Sequence, residues 1–347
     1  MAPLKPITIV GGGLAGLTLG IGLRQRSVPV TIWEAGGYPR HRVCGEFISG
    51  RGQEVLARMG LRDLFLAAGA VPAADAAFFE GGRASPARML SPPALCLSRF
   101  TMDSLLAGRF RAGGGDLREH TRRAESSAGE GVVLANGRRR WSPANGCRWF
   151  GLKAHAGGVR LSAALEMHAL DDGYVGLCRL AGDKVNVCGL FRRAAGTDSP
   201  PPPWRELLSG PPGSCLRRRL AEAEFDGDSF CSVAGLTLRP RQASRQPECR
   251  IGDALTMIPP VTGNGMSMAL EAAELALEPL SGWSRGELGW EQATHAVARA
   301  CDRAFSRRLA WARWLQWLMF TRIARGRLGA LALRSDSLWR IVFARTR

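Results

Sequence analysis

Apolar positions at the start of the chain come in short runs separated by glycine. Ile7, Ile9 and Val10 form a mostly β-branched run of the kind buried on both faces of a parallel sheet. Gly11, Gly13 and Gly16 follow, and an apolar stretch of helical length leads on to a second buried run, Val30 to Trp33, which ends in Glu34. Strand, glycine turn, helix and strand predict a βαβ unit. Further on, the pattern predicts a helix from about Gln53 to Met59. Strands follow between Val71 and Leu97, where Pro86, Pro92 and Pro93 break any helix. Phe100, Leu105, Leu106 and Phe110 then recur at helical spacing, with Arg99 and Asp103 four apart on one face. Gly131 opens a short strand. Phe150–Leu161 and Gly173–Phe191 read as strands, the latter folding into a hairpin at Gly182-Asp183. A helix from about Met266 to Leu280 follows a proline-glycine loop. The proline runs at Ser199–Trp204 and Gly210–Gly213 read as stiff connectors.

The glycines give the first unit its chemistry. In GxGxxG the first glycine permits the tight turn, the second lets backbone approach a pyrophosphate, and the third lets helix and strand pack closely. The helix N-terminus offers free N–H groups to the phosphates. Glu34 lies eighteen residues past Gly16, about where an acid grips an adenosine ribose hydroxyl.

A second stretch, Gly252-Asp253 followed by IPPVTGNGM, repeats that logic. An aspartate after a glycine at a strand end reaches ligand hydroxyls. Gly263 and Gly265 permit close approach, and the following helix start adds partial positive charge.

Composition narrows the partners. The formal charge of +17 suggests nucleic acid or an anionic surface. Only Lys5, Lys153 and Lys184 are lysines, however, so the excess is a blanket arginine bias, and no nucleic-acid module is legible. Nine scattered cysteines, odd in number and never CxxC, predict reduced thiols, no metal site and a cytoplasmic location. The first strand starts too close to Met1 for a signal peptide, and no apolar run approaches the length of a membrane span.

Three blocks, GGGLAGLTLG with Glu34, Arg99 with Asp103, and GDALTMIPPVTGNGM, resemble the FAD-dependent oxidoreductases built like p-hydroxybenzoate hydroxylase. Arg42-Val-Cys-Gly-Glu46 is similar to the CGE element of their geranylgeranyl reductase-like branch. The resemblance implies an α/β fold: a Rossmann-like FAD-binding domain, an interleaved, mostly antiparallel substrate-domain sheet and a helical C-terminus. It implies a discontinuous FAD domain over 1–70, 99–149 and 247–282, a substrate domain over 71–98 and 150–246, and a helical segment over 283–347. By the same resemblance Gly11, Gly13, Gly16 and Glu34 hold the ADP half of FAD, with Arg42, Gly45 and Arg99 beside it. Asp253 meets the ribityl region, and Pro259 to Met266, with Gly263 and Gly265, lines the flavin. The chain departs from its relatives at three points. Asn136-Gly137 stands where the monooxygenases carry Asp-Gly, which bears on NAD(P)H as electron donor. Tyr174-Val-Gly-Leu-Cys-Arg lacks the tryptophan and Phe-Pro of the prenyl reductases. The Trp-x-Trp-x-Ile-Pro signature of flavin halogenases is absent.

The expected reaction is reduction or desaturation of a C=C bond in a hydrophobic, isoprenoid- or polyketide-like molecule. The alternatives are O₂- and NAD(P)H-dependent hydroxylation of an aromatic or polyketide substrate, and a flavoprotein without turnover. Cys44, among Arg40, His41 and Arg42, is expected to have a lowered pKa and to relay a proton, or else to pack against the ring. Glu46 binds a ribityl or ring atom, or pairs with an arginine. His155 and His168 fall on substrate-domain strands, where they line the pocket with Tyr174 or serve as structural residues. At the C-terminus, Trp311, Trp314, Trp317 and Trp339 stand among eleven arginines counted from Arg303, with Asp336 the only acid. That pattern fits either a helical cap or a helix lying on an anionic membrane.

Overall fold

A computed structural model describes residues 3–80, 82–123, 129–138, 146–194, 202–321 and 335–346. Its elements open with β1 (Ile7–Val10), α1 (Leu14–Arg24), β2 (Val30–Trp33), β3 (Phe47–Ile48), α2 (Arg51–Arg58) and α3 (Arg62–Ala67). Then come β4 (Val71–Glu80), β5 (Arg83–Ala84), β6 (Arg88–Cys96), α4 (Arg99–Ala112), β7 (Asp116–Arg118) and β8 (Val132–Leu134). β9 (Cys147–Gly157), β10 (Leu165–Leu170), β11 (Gly173–Arg179) and β12 (Val185–Ala194) precede α5 (Trp204–Ser209), α6 (Cys215–Arg219) and β13 (Glu224–Leu236). α7 (Gly265–Ser284), α8 (Trp290–Phe320) and α9 (Asp336–Thr346) complete the order. Part of the Ser199–Trp204 connector and part of the arginine-rich C-terminal stretch lie outside the described residues.

The fold is mixed α/β. Four parallel strands, ordered β7-β2-β1-β8, carry the glycine turn at the carboxyl end of β1. Ile7, Ile9 and Ile32 are fully buried beneath α1, which packs on α4 and α7. The second sheet runs β13-β9-β12-β11-β10-β4-β6-β3, with β5 beside β4, and is antiparallel except where β10 meets β4. The β11–β12 hairpin closes as expected, because Gly182 and Asp183 both take the left-handed conformation, φ 68° and 59°. β3 sits inside the 1–70 stretch yet pairs with β6, so the loop before it is tied to the second sheet.

Alternation along these strands separates two faces. Leu152, Ala154, Val175, Val187 and Phe191 turn outward under Leu208 and Leu216 of α5 and α6. The opposite positions, among them Lys153, His155, Asn186, Cys188 and Tyr174, face the first domain. α8 is tied to α7 by a buried bidentate pair, Arg308 with Glu271, one arm of it 2.7 Å. α9 is anchored by Asp336 on Arg88 at 3.0 Å and by Trp339 against Phe78. Both helices therefore cap the protein, while Trp314, Trp317 and Ile341 stay exposed. Among the described residues, no helix is long and apolar enough to cross a membrane, and no group of three or more His, Cys, Asp or Glu is placed to hold a metal ion. All nine cysteines are free thiols.

Candidate active site

Between the sheets runs a cavity of about 1340 Å³ that begins at the glycine turn and ends under α8 and α9. At its first end the three glycines are needed for different reasons. A Cβ on Gly11, which has φ 110°, would meet Ala135 O at 2.4 Å, and one on Gly16 would meet Gly11 O at 2.0 Å. Gly13 has nothing within 4 Å of the Cβ position, so its missing side chain leaves room on the cavity wall rather than solving a packing problem. Glu34 is buried and accepts Gly12 N–H and Gly36 N–H at 2.8 Å each, with Arg40 2.6 Å from its Oε1.

Arginines surround this end. Arg40, Arg42, Arg99, Arg122, Arg123 and Arg138 all line the cavity. Arg42 donates Nε–H to Asp103 at 2.9 Å, while its Nη2 is buried, has no hydrogen bond among the described residues and lies 3.8 Å from Glu34. Arg99 is bidentate to Asp103 at 2.8 and 2.9 Å. Burial works against its charge, but Asp103 more than offsets this and holds Arg99 above the ordinary arginine range.

At the middle of the cavity Asp253 and the loop Pro260–Gly263 meet the start of α7, with Gly265 and Met266 on the wall. Gly263 is left-handed, φ 64°, and its absent Cβ would collide with the Phe47 ring at 2.2 Å. Burial raises the Asp253 carboxyl. Pro259, expected on this wall, stands one residue outside it, where its carbonyl closes the turn by accepting Thr262 Oγ1–H at 3.2 Å.

The loop carrying Cys44 forms another wall. Cys44 lines the cavity, but its expected acidity is reversed: burial pushes the thiol up, outweighing Arg99. Glu46 turns away from the cavity. With φ 60° it is buried under the second sheet, accepting Arg99 N–H at 2.9 Å and His155 Nε2–H at 2.7 Å, with Lys153 Nζ 3.4 Å away. Its partners are thus a lysine, a histidine and a backbone amide rather than an arginine side chain. His155 is brought to this loop and takes no part in the cavity lining.

His168 is a correction. It occupies the other parity of β10, on the face away from the cavity, where it stacks on Phe79 and bonds Glu166 at 2.9 Å. Met167 and Ala169 take the cavity-facing positions instead. Tyr174 does line the cavity, and its buried hydroxyl has no hydrogen-bond partner among the described residues. Sequence reasoning passed over Lys153, fully buried, and took His41 only as a charge beside Cys44, whereas its Nδ1 is 3.0 Å from Lys153 Nζ. The signal was the Lys153-Ala-His155 alternation, which puts both side chains on one face of β9.

His41 supplies a pH prediction. Burial, then Lys153 and His155, lower its pKa from 6.5 to about 4. Between those values the unfolded chain binds more protons, so stability falls as pH drops from 6.5 toward 4. His41→Gln is expected to flatten that slope in urea titrations run across the same pH window.

Residues 5–140 match the family model described as FAD binding domain. The chain contains an FAD-binding domain. The geometry fits the group: an open Cβ position at Gly13, arginines for two phosphates, a buried guanidinium nitrogen on Arg42 that makes no hydrogen bond among the described residues, and a helix start at Gly265. FAD is the cofactor. No curated protein is similar to this chain in sequence. In fold it is similar to the flavin-dependent brominase Bmp2, with 17% identity over 97% of this chain and 92% of that one, TM-score 0.73. The myxobacterial chondrochloren halogenase CndH gives 18% identity over 100% and 91%, TM-score 0.72. Pseudomonas aeruginosa PqsL, described as a probable FAD-dependent monooxygenase, gives 16% identity over 93% and 98%, TM-score 0.68. The chain therefore has the fold of FAD-dependent enzymes.

Proposed function

We propose that the protein is an FAD-dependent monooxygenase acting on an apolar small molecule that carries an oxygen function. The observation that carries this reading is the continuity of the cavity. It leads without a break from the FAD-binding glycines to a chamber walled by Leu190, Met257, Val261, Leu318 and Met319, with the unpartnered Tyr174 hydroxyl among them. Such a chamber excludes water and holds an apolar body, and one phenol offers it a hydrogen bond. Burial keeps that phenol protonated, so it acts as a donor. The arginines bind the pyrophosphate, and the α7 N-terminus favours negative charge on the ring. Reduced FAD supplies the electrons for activating O₂. Likeness to a probable monooxygenase and to halogenases supports this reading over hydride transfer to a C=C bond.

Alkene reduction of the prenyl-reductase type is the second reading, favoured by one feature: Cys44, held as a neutral thiol on the cavity wall, is a proton donor in waiting. Anaerobic single turnover separates the two, since hydroxylation stops without O₂ and alkene reduction continues. Cys44→Ser is expected to leave O₂-dependent turnover within about threefold and to abolish reduction if reduction is the reaction. Tyr174→Phe is expected to raise KM about tenfold with little change in kcat, the loss of one hydrogen bond to bound substrate.

The same reading assigns the exposed Trp314, Trp317 and Ile341 on the arginine-rich C-terminal helices to contact with an anionic bilayer, from which an apolar substrate would enter. Co-sedimentation with phosphatidylglycerol vesicles, but not with phosphatidylcholine vesicles, is expected. Trp317→Ser should weaken it severalfold, and equal recovery with both lipids would overturn the assignment.

A further inference from the structure

One side-chain cluster has no part in binding FAD or in walling the apolar chamber. On the inner face of the second sheet, Lys153 and His155 of β9 and Asn186 of β12 form a polar row, with Asn186 directly opposite His155 in the pairing. Neighbouring positions on that face are glycine, cysteine or apolar, apart from Asp226 of β13, which stands opposite His155. All three side chains are committed to a single loop. Asn186 Nδ2 donates to Cys44 O at 2.9 Å, His155 Nε2 meets Glu46 Oε2 at 2.7 Å, and Lys153 Nζ lies 3.0 Å from His41 Nδ1 and 3.4 Å from Glu46 Oε1. Loop and row lie more than a hundred residues apart in sequence, so these contacts fix the loop against the sheet.

The donors and acceptors determine the proton positions. An ammonium group can only donate, so His41 Nδ1 accepts from Lys153 and the ring proton sits on Nε2. A carboxylate can only accept, so His155 carries its proton on Nε2, toward Glu46. His41 lines the cavity, and Nε2 has no hydrogen bond among the described residues.

We propose that Lys153 is a positioning residue: with His155 and Asn186 it clamps the Arg40–Glu46 loop, and it presents the neutral Nε2–H of His41 to the cavity as a hydrogen-bond donor for an oxygen of the bound molecule. The clamp is independent of whether the flavin uses O₂ or an alkene.

The charged and titratable groups facing His41 are Lys153 and His155 from β9, Glu46 from its own loop and Asp226 from β13; Phe100 of α4 stacks on it at 4.6 Å. Two of these groups, Lys153 and His155, oppose protonation of His41, and burial acts with them. Removing the ammonium therefore moves its titration upward.

The test is nitrogen NMR of the FAD-loaded protein labelled with ¹⁵N-histidine, the His41 signals being those lost in His41→Gln. At pH 7 the wild type is expected to show His41 neutral and protonated on Nε2. In Lys153→Met its titration should move up by about one unit or more, and the ring should become a mixture of tautomers. Lys153→Gln keeps a donor to Nδ1 without charge, so the tautomer should persist while the titration still moves. His41 charged at pH 7, or protonated on Nδ1 in the wild type, overturns the proposal even if no Lys153 variant folds. An unchanged His41 titration in a folded Lys153→Met protein overturns it as well.

Discussion

Gly13→Asp is expected to abolish FAD binding while leaving the fold in place. Gly13 is the N-cap of α1, with φ −82° and ψ −175°, a conformation open to any residue, and among the described residues nothing beyond its own chain neighbours lies within 4 Å of the position its Cβ would occupy. Aspartate is among the best N-caps, so α1 gains rather than loses. The new carboxylate, however, stands where backbone must meet a pyrophosphate, and like charges in one pocket cost several kcal/mol, at least about a hundredfold in affinity. The variant should purify colourless with an unchanged far-UV spectrum and fail to take up added FAD. Gly16→Val is the contrast, because a Cβ there meets Gly11 O at 2.0 Å, and that variant should lose structure together with cofactor. A yellow Gly13→Asp protein at one FAD per chain would move the pyrophosphate elsewhere.

Glu46→Ala is expected to destabilise the protein by about 3–5 kcal/mol, the range for breaking a buried ion pair from one side. Its carboxylate serves Lys153, His155 and Arg99 N–H at once, and Glu46 and Lys153 are each fully buried. Without it the ammonium keeps only the neutral imidazole of His41, 3.0 Å away, as a polar neighbour among the described residues. The urea midpoint should fall accordingly. Adding Lys153→Met to Glu46→Ala should recover part of the loss, since the uncompensated charge is then gone. Simple additivity of the two changes would show that they are not coupled.

Much of the cofactor end was legible because its requirements are local. Gly11, Gly13 and Gly16 answer to the turn, the open cavity wall and the helix contact within ten residues, and Glu34 follows from one strand repeat. Gly263 and Gly265 were legible for the same reason. Strand parity was less so. His155 and His168 both sit on strands, and only the pairing of β10 with β4 and β11 turns His168 out toward Phe79 while Met167 and Ala169 face in. A sequence gives the alternation but not which half faces the core. Cys44 was misjudged on charge alone: the arginines around it are real, yet burial dominates and raises the thiol. Glu46 and Lys153 were hidden more deeply. A strand lysine ordinarily reads as solvated, and its partners lie 107 and 112 residues away in sequence. The C-terminal helices declared their amphipathic face, and the fold shows that face shared between the cavity end, through Leu318 and Trp339, and the surface, through Trp317 and Ile341, with Trp314 at the cavity rim and exposed.

If the protein is a monooxygenase, O₂ and an apolar molecule meet reduced flavin in the cavity that Gly263 lines. The most direct measurement is mass spectrometry of the product formed under ¹⁸O₂ by the FAD-loaded protein, using whatever small molecule copurifies with it or an apolar aromatic panel. A monooxygenase gives one ¹⁸O atom per product and no product without O₂. A product heavier than its substrate by two hydrogens, formed equally well under anaerobic conditions, would contradict it.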